Sequence, residues 1–159
     1  MLAFAAVQVF GQAVNTAKLK INGTIGLDST YAQVVKAFGK PSKETKPMAE
    51  ECTGGHEKSV EYAGLSFYFM DGSSRSRKVY EVMNFEVSSP KFTVSGVKVG
   101  DSEAVVKRKF GRKFTVETDA EKGEKTWQYE IGEAEGPGWT TVTFKNGRVV
   151  SIGSAYMVC

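Results

Sequence analysis

The chain has 159 residues, 41% hydrophobic and 25% charged, a balance found in folded globular proteins and unlike that of disordered ones. Its 21 basic and 18 acidic residues leave a net charge of +3, too even for a nucleic-acid binder, which needs a concentrated basic face. Seventeen glycines against four prolines point to a turn-rich, β-containing fold.

The chain opens on Met1–Phe10, an uncharged and mostly apolar run, followed by Gly11-Gln12-Ala13. Small residues there suit a signal peptidase, so residues 1–13 are predicted to be a secretory signal, truncated because no Lys or Arg precedes the apolar run. The alternative is an apolar strand or helix of the fold. The run is too short to span a bilayer, so stable membrane insertion is not expected. The predicted location is exported, periplasmic or extracellular.

Lys18–Gly23 reads as a short extended piece. Thr30, with Gln33 three residues on, makes a capping box, and Tyr31, Val34, Val35 and Phe38 follow helical spacing. Gly39 stops this helix, because glycine takes the left-handed conformation at low cost. A polar loop from Pro41 to Ser59 holds Cys52, Gly54-Gly55 and His56. Strands are predicted at Val60–Tyr62, Leu65–Met70 and Val79–Glu86, the last two joined by Asp71-Gly72 and an inserted polar tip with Arg75, Arg77 and Lys78. Ser88-Ser89-Pro90 reads as a linker.

The pattern then repeats. Lys91–Gly96 is extended, Ser102–Phe110 is helical and stops at Gly111, and Glu117–Lys125 is a charged loop. Strands are predicted at Thr126–Ile131, Trp139–Lys145 and Arg148–Tyr156, with Asn146-Gly147 as a two-residue hairpin turn. Thr30–Lys40 and Ser102–Arg112 match at a constant offset of 72 residues. A self-similar chain is a duplicated structural unit. The predicted fold is therefore α+β, two tandem units over residues 14–87 and 88–159, each a helical element packed on an antiparallel β-sheet.

Thr/Ser-x-x-x-Val-x-x-x-Phe-Gly, followed by strands ending in Phe-x-Asn/Asp-Gly-x-Val-x-x-Ile, resembles the beta-lactamase inhibitory protein superfamily. The unit is also similar, in single copy, to small outer-membrane assembly lipoproteins of the SmpA/OmlA group. Two copies in one chain are more similar to the inhibitory protein. That resemblance implies a helix on an antiparallel sheet, twice, with a curved outer sheet surface that grips an enzyme in the inhibitory protein.

Catalytic signatures are absent from the sequence. His56 is the lone histidine, so a Ser-His-Asp or Cys-His catalyst would have to use it. Cys52 and His56, among Glu50, Glu51 and Glu57, offer two nitrogen or sulfur ligands where a structural zinc site has four. A solvated loop is the simpler reading, and no metal or cofactor is predicted. Cys52 and Cys159 suit an exported protein and are predicted to pair, stabilising by roughly 4–5 kcal/mol through loop closure; two unpaired thiols are the alternative.

Strand alternation assigns the faces. Leu65, Phe67, Phe69, Val142 and Phe144 are predicted to face the helices, with Tyr80, Val82, Val150 and Ile152. The opposite face then carries Tyr68, Met70, Val79, Met83, Phe85 and Trp139. Large apolar groups on an exposed sheet face mark an interaction surface, and Tyr68, Met70, Met83, Phe85 and Trp139 are the predicted partner-binding residues. The alternative is internal packing of this face. The predicted function is an exported, non-catalytic protein-binding module, such as an inhibitor of a secreted or periplasmic enzyme, with a protein partner and no nucleic acid. An envelope assembly protein, or a metal-dependent sensor or enzyme built on Cys52 and His56, is the competing reading.

Overall fold

Two helices form where apolar spacing and caps coincide. Helix α1 is Tyr31–Phe38, and its N-cap Thr30 exchanges both capping-box hydrogen bonds with Gln33. Helix α2 is Glu103–Phe110, whose N-cap Ser102 makes no side-chain cap bond. Each ends on a glycine with positive φ, 80° at Gly39 and 92° at Gly111, a conformation that disfavours a side chain. The computed structural model describes residues 15, 18–71, 79–131 and 138–157. The predicted signal segment, the basic tip at Arg75, Arg77 and Lys78, and Cys159 lie outside the described residues, and with Cys159 so does the Cys52–Cys159 pairing.

The strands are β1 (Lys43–Glu44), β2 (Met48–Ala49), β3 (His56–Tyr62), β4 (Leu65–Asp71), β5 (Tyr80–Val87), β6 (Thr115–Asp119), β7 (Glu124–Ile131), β8 (Gly138–Lys145) and β9 (Arg148–Tyr156). They make one antiparallel nine-stranded sheet in the order β1-β3-β4-β5-β9-β8-β7-β6, with β2 also on β3. This corrects the architecture of two tandem helix-plus-sheet units. Asn84–Val87 of β5 pairs with Ile152–Ala155 of β9, which fuses the strands into a single sheet. The helices are about two turns each, too short to define layers of their own. Segments read as polar loops also become strands: β1 and β2 lie within Pro41–Ser59, and β6 hairpins onto β7.

The repeated sequence persists as matched local hydrogen bonds. Asp28 N–H donates to Val82 O and Val82 N–H to Ser29 O, at 3.0 and 2.8 Å. Gly100 N–H donates to Val149 O and Val149 N–H to Asp101 O, at 2.8 and 2.9 Å. Val82 and Val149 therefore occupy equivalent places beside the two helix entries. Two turns, Asn22-Gly23 and Ser95-Gly96, meet through the Ile21–Val94 bridge, with Asn22 N–H on Thr93 O at 2.8 Å and Ser95 N–H on Lys20 O at 2.9 Å.

Both helices pack on one side of the sheet. Tyr31 sets an edge against Phe69, Phe38 tilts over Phe67, and Phe110 meets Tyr129 edge-on. The core between the helices and sheet is apolar, with Phe67, Phe69, Phe85, Trp127, Phe144 and Ile152 almost completely buried. Among the described residues, neither helix covers the opposite, open face.

Candidate binding face

The register fixes which side chains share the open face. Ser59, Tyr68, Asn84, Ala155, Trp139 and Glu130 form one row across β3, β4, β5, β9, β8 and β7. The next row runs Glu61, Ser66, Glu86, Gly153, Thr141 and Gln128. Ser151, Thr143 and Thr126 follow, and the Thr126 and Thr143 hydroxyls are 3.0 Å apart. The face is thus mainly hydroxyls, carboxylates and small residues, with Tyr68 and Trp139 as partly exposed rings. Alternating apolar-in and polar-out residues are expected of an antiparallel sheet with one face solvated.

Two shallow hollows lie on this face. One, of about 240 Å³, is lined by Asn84, Glu86, Trp139, Thr141 and Gly153 among others. A Cβ at Gly153 would stand 3.0 Å from Thr141 Oγ1, so glycine keeps its floor low. The other, of about 230 Å³, is lined by Glu61, Ser66 and Glu86 among others. Glu86 borders both.

The five predicted partner-binding residues do not assemble into one patch. Trp139 and Tyr68 sit in the same row, three strand steps or roughly 14 Å apart. Phe85 is 0% exposed and lies on the helix side. Its placement follows from a β-bulge: Tyr68 pairs with Asn84, but Phe69 pairs with Val82, so Met83 is the extra residue. Strict alternation carried through Met83 assigns Phe85 to the wrong face. A like bulge sits in β9, where Thr143 pairs with Ser151 and Phe144 with Val149, leaving Val150 extra and Val149 buried. Met83 is partly exposed at its bulge, and Met70 is 6% exposed, sunk beside Glu57 and Glu81 in the register. Val79 is partly exposed, outside the strands.

Tyr68 is anchored: its hydroxyl donates to the Glu57 carboxylate. Burial first, and that carboxylate second, push its pKa well above the usual tyrosine range. A ring tethered this way offers its surface with little rotamer entropy left to lose on binding.

The helix side uses its polar groups internally. Lys58, 8% exposed, sits 3.3 Å from the Tyr31 ring centroid and 4.8 Å from that of Tyr80, and pairs with Glu44 at 3.0 Å. Tyr31 donates to Glu44 at 2.8 Å. Burial, then Glu44, raises the Tyr31 pKa to about 12. Burial opposes ionisation of Glu44, yet Lys58 and Tyr31 together outweigh it and lower its pKa. Lys125 occupies the equivalent place further along, 2.6 Å from Glu103. Tyr62 donates to Gly39 O at 3.0 Å and Tyr129 to Gly111 O at 3.3 Å, tying each helix end to the sheet.

Cys52 and His56 converge on neither hollow. The Thr53 hydroxyl, at 2.7 Å, and the Thr53 and Cys52 N–H groups, at 2.7 and 2.9 Å, donate to the Glu50 carboxylate, lowering its pKa and closing a tight exposed turn. His56 N–H donates to Asp71 Oδ1 at 2.5 Å, and its Nδ1 lies 3.5 Å from Asp71 Oδ2. Glu50 and Glu57 are thus engaged in the turn and with Tyr68. Among the described residues, no cluster of three or more His, Cys, Asp or Glu side chains is arranged to hold a metal ion.

Asn84, Glu86, Glu130 and Gly153 are the open-face residues that sequence reading missed. For Asn84 and Glu86 the signal was the polar alternation Asn84-x-Glu86, hidden by the unforeseen bulge at Met83.

No family model and no curated protein matches the chain. Among solved structures it is similar to an extracellular protein containing a SCP domain from Bacillus anthracis str. Ames, crystallised at 1.5 Å resolution. The two are 13% identical with a TM-score of 0.46, over 98% of this chain and 50% of that one. The chain therefore spans about half the length of the structure it matches. Among the described residues, no helix is long and apolar enough to cross a membrane.

Proposed function

We propose that this chain is an exported, non-catalytic protein-binding module that works through the open face of its sheet, with Trp139 and Tyr68 as anchors. The observation that supports this most is the pair of partly exposed rings on a helix-free face otherwise made mainly of hydroxyl, amide, charged and small residues. Aromatic rings amid adaptable polar groups form the chemistry of hydrated protein interfaces. Nine hydrogen-bonded strands hold the rings at fixed spacing, which lowers the ordering cost of binding. Inhibition of a secreted or periplasmic enzyme is the form of binding suggested by the resemblance in the repeated sequence.

Capture from secreted and envelope extracts, using wild type and the Trp139→Ala and Tyr68→Ala variants in parallel, tests this reading. A genuine partner binds wild type and loses at least about thirtyfold in affinity with Trp139→Ala. Equal capture by all three proteins refutes the open face as the binding surface.

A further inference from the structure

We infer that the partner engaged by the open face is a basic protein segment, with an arginine or lysine seated on Trp139 and a second cationic group at Glu86; this rests on the reading of the open face as the binding surface. The observation behind it is a segregation of charge that the net value of +3 conceals. The strand register places eight carboxylates on the open face against three basic side chains, Lys43, Lys145 and Arg148. The remainder of the described molecule carries fifteen basic and eight acidic residues. Negative charge thus predominates on the open face and positive charge over the rest of the described molecule, so the open side attracts cations and repels anionic partners.

The carboxylates are set around the anchor. Glu130 stands directly across the β7–β8 pair from Trp139, about 5 Å away between Cβ atoms. Glu86 lies two strands from Trp139, across the hollow that both line, about 10 Å in the pairing direction. Both are exposed, and neither has an ion-pair partner among the described residues. An indole face beside a free carboxylate suits a guanidinium or ammonium group, which the ring quadrupole and the negative charge both attract. Glu86 also lines the second hollow with Glu61, and since Glu61 is paired with Lys43 at 3.1 Å, Glu86 is the carboxylate left to meet a cation there. The partner therefore presents at least two cationic side chains roughly 10 Å apart, the spacing of residues i and i+3 on one face of a polyproline II segment, with three residues per turn and about 3.1 Å per residue.

The test titrates the full chain with three twelve-residue Gly-Ser peptides carrying Arg, Gln or Glu at every third position, using calorimetry at 50 and 500 mM salt. Wild type is expected to bind the Arg peptide alone, and to lose at least about tenfold in affinity at high salt. Glu86→Gln with Glu130→Gln removes charge without changing shape, and is expected to weaken binding about tenfold with an unchanged melting temperature. Trp139→Ala should weaken it several-fold. No Arg-peptide binding, equal binding of the three peptides, or wild-type affinity in the double Gln variant overturns the proposal. Salt-sensitive self-association that the double Gln variant abolishes would make a second copy's basic side the occupant, and also overturns it. The underlying reading is tested separately: if Trp139→Ala loses the captured partner while the Arg peptide never binds, the open face stands and its cationic partner falls.

Discussion

Asn84 and Phe85 are neighbours in the chain and inhabit different molecules in effect. Phe85 is sealed against the helices, while Asn84 is exposed on the open face. The same contrast divides the whole sheet. On the helix side even charged groups are enclosed, as Lys58 is between two tyrosine rings and Glu44. On the open side charges stand in solvent, as in the Lys43–Glu61 pair at 3.1 Å with side chains 68% and 51% exposed. Stability is therefore concentrated on one face, which leaves the other free to carry recognition.

The largest expected effect that sharpens this contrast is Phe85→Ala. Emptying a buried aromatic site costs about 3–5 kcal/mol of stability, read from urea unfolding. Trp139→Ala, on the open face, should cost less than about 1 kcal/mol in the same measurement. Comparable losses would break the division of labour between the faces.

A smaller effect separates two lysines on adjacent strands. Lys58→Met takes the buried ammonium away from the exposed Glu44 carboxylate and from two rings, costing about 1–2 kcal/mol. Lys43→Met breaks an exposed pair and should cost no more than about 0.5 kcal/mol. Lys58→Met should also flatten the acid limb of the stability profile. The lowered pKa of Glu44 contributes stability that is present above its unfolded value and lost as pH falls through the folded one. Equal costs for the two lysines would mean that the ring cage contributes nothing.

The mildest effect appears only in alkali. Tyr31, Tyr62, Tyr68, Tyr80 and Tyr129 all have raised pKa values, with burial the first cause in each. A folded pKa above the unfolded value of about 10 means that the folded state holds its proton more tightly. That stability is complete below pH 10 and is lost as pH rises toward the folded value, about 12 for Tyr31. Unfolding midpoints should be level from neutrality to about pH 9.5 and then fall together with the rise of tyrosinate absorbance. Tyrosinate from any of these five tyrosines appearing near pH 10 in the folded protein would contradict the burial described.

These contrasts also mark what the sequence could convey. The helices were legible because their signals are local: Thr30 and Gln33 cap, Val34 and Val106 point inward, Gly39 and Gly111 stop. The single sheet was not, because pairing Asn84–Val87 with Ile152–Ala155 joins residues almost seventy positions apart. A repeat in the sequence suggests two bodies, whereas the shared sheet needs knowledge of that long-range pairing. The faces of β4 and β8 were legible from alternation, but Met83 and Val150 each insert one residue, and a bulge has no dependable local signature. Phe85 was misplaced for that reason. Trp139 and Tyr68 lie upstream of their partner strands' bulges in the register and kept their predicted facing.

The central claim is that recognition belongs to the open face. Its most direct test is chemical-shift mapping of the isotope-labelled protein as a captured partner is titrated in. The expected changes gather on Tyr68, Asn84, Gly153 and the Trp139 indole, along one row and its neighbour across β4, β5, β9 and β8. Changes confined to α1, α2 and the Cys52–His56 turn, with the Trp139 indole unmoved, would contradict it.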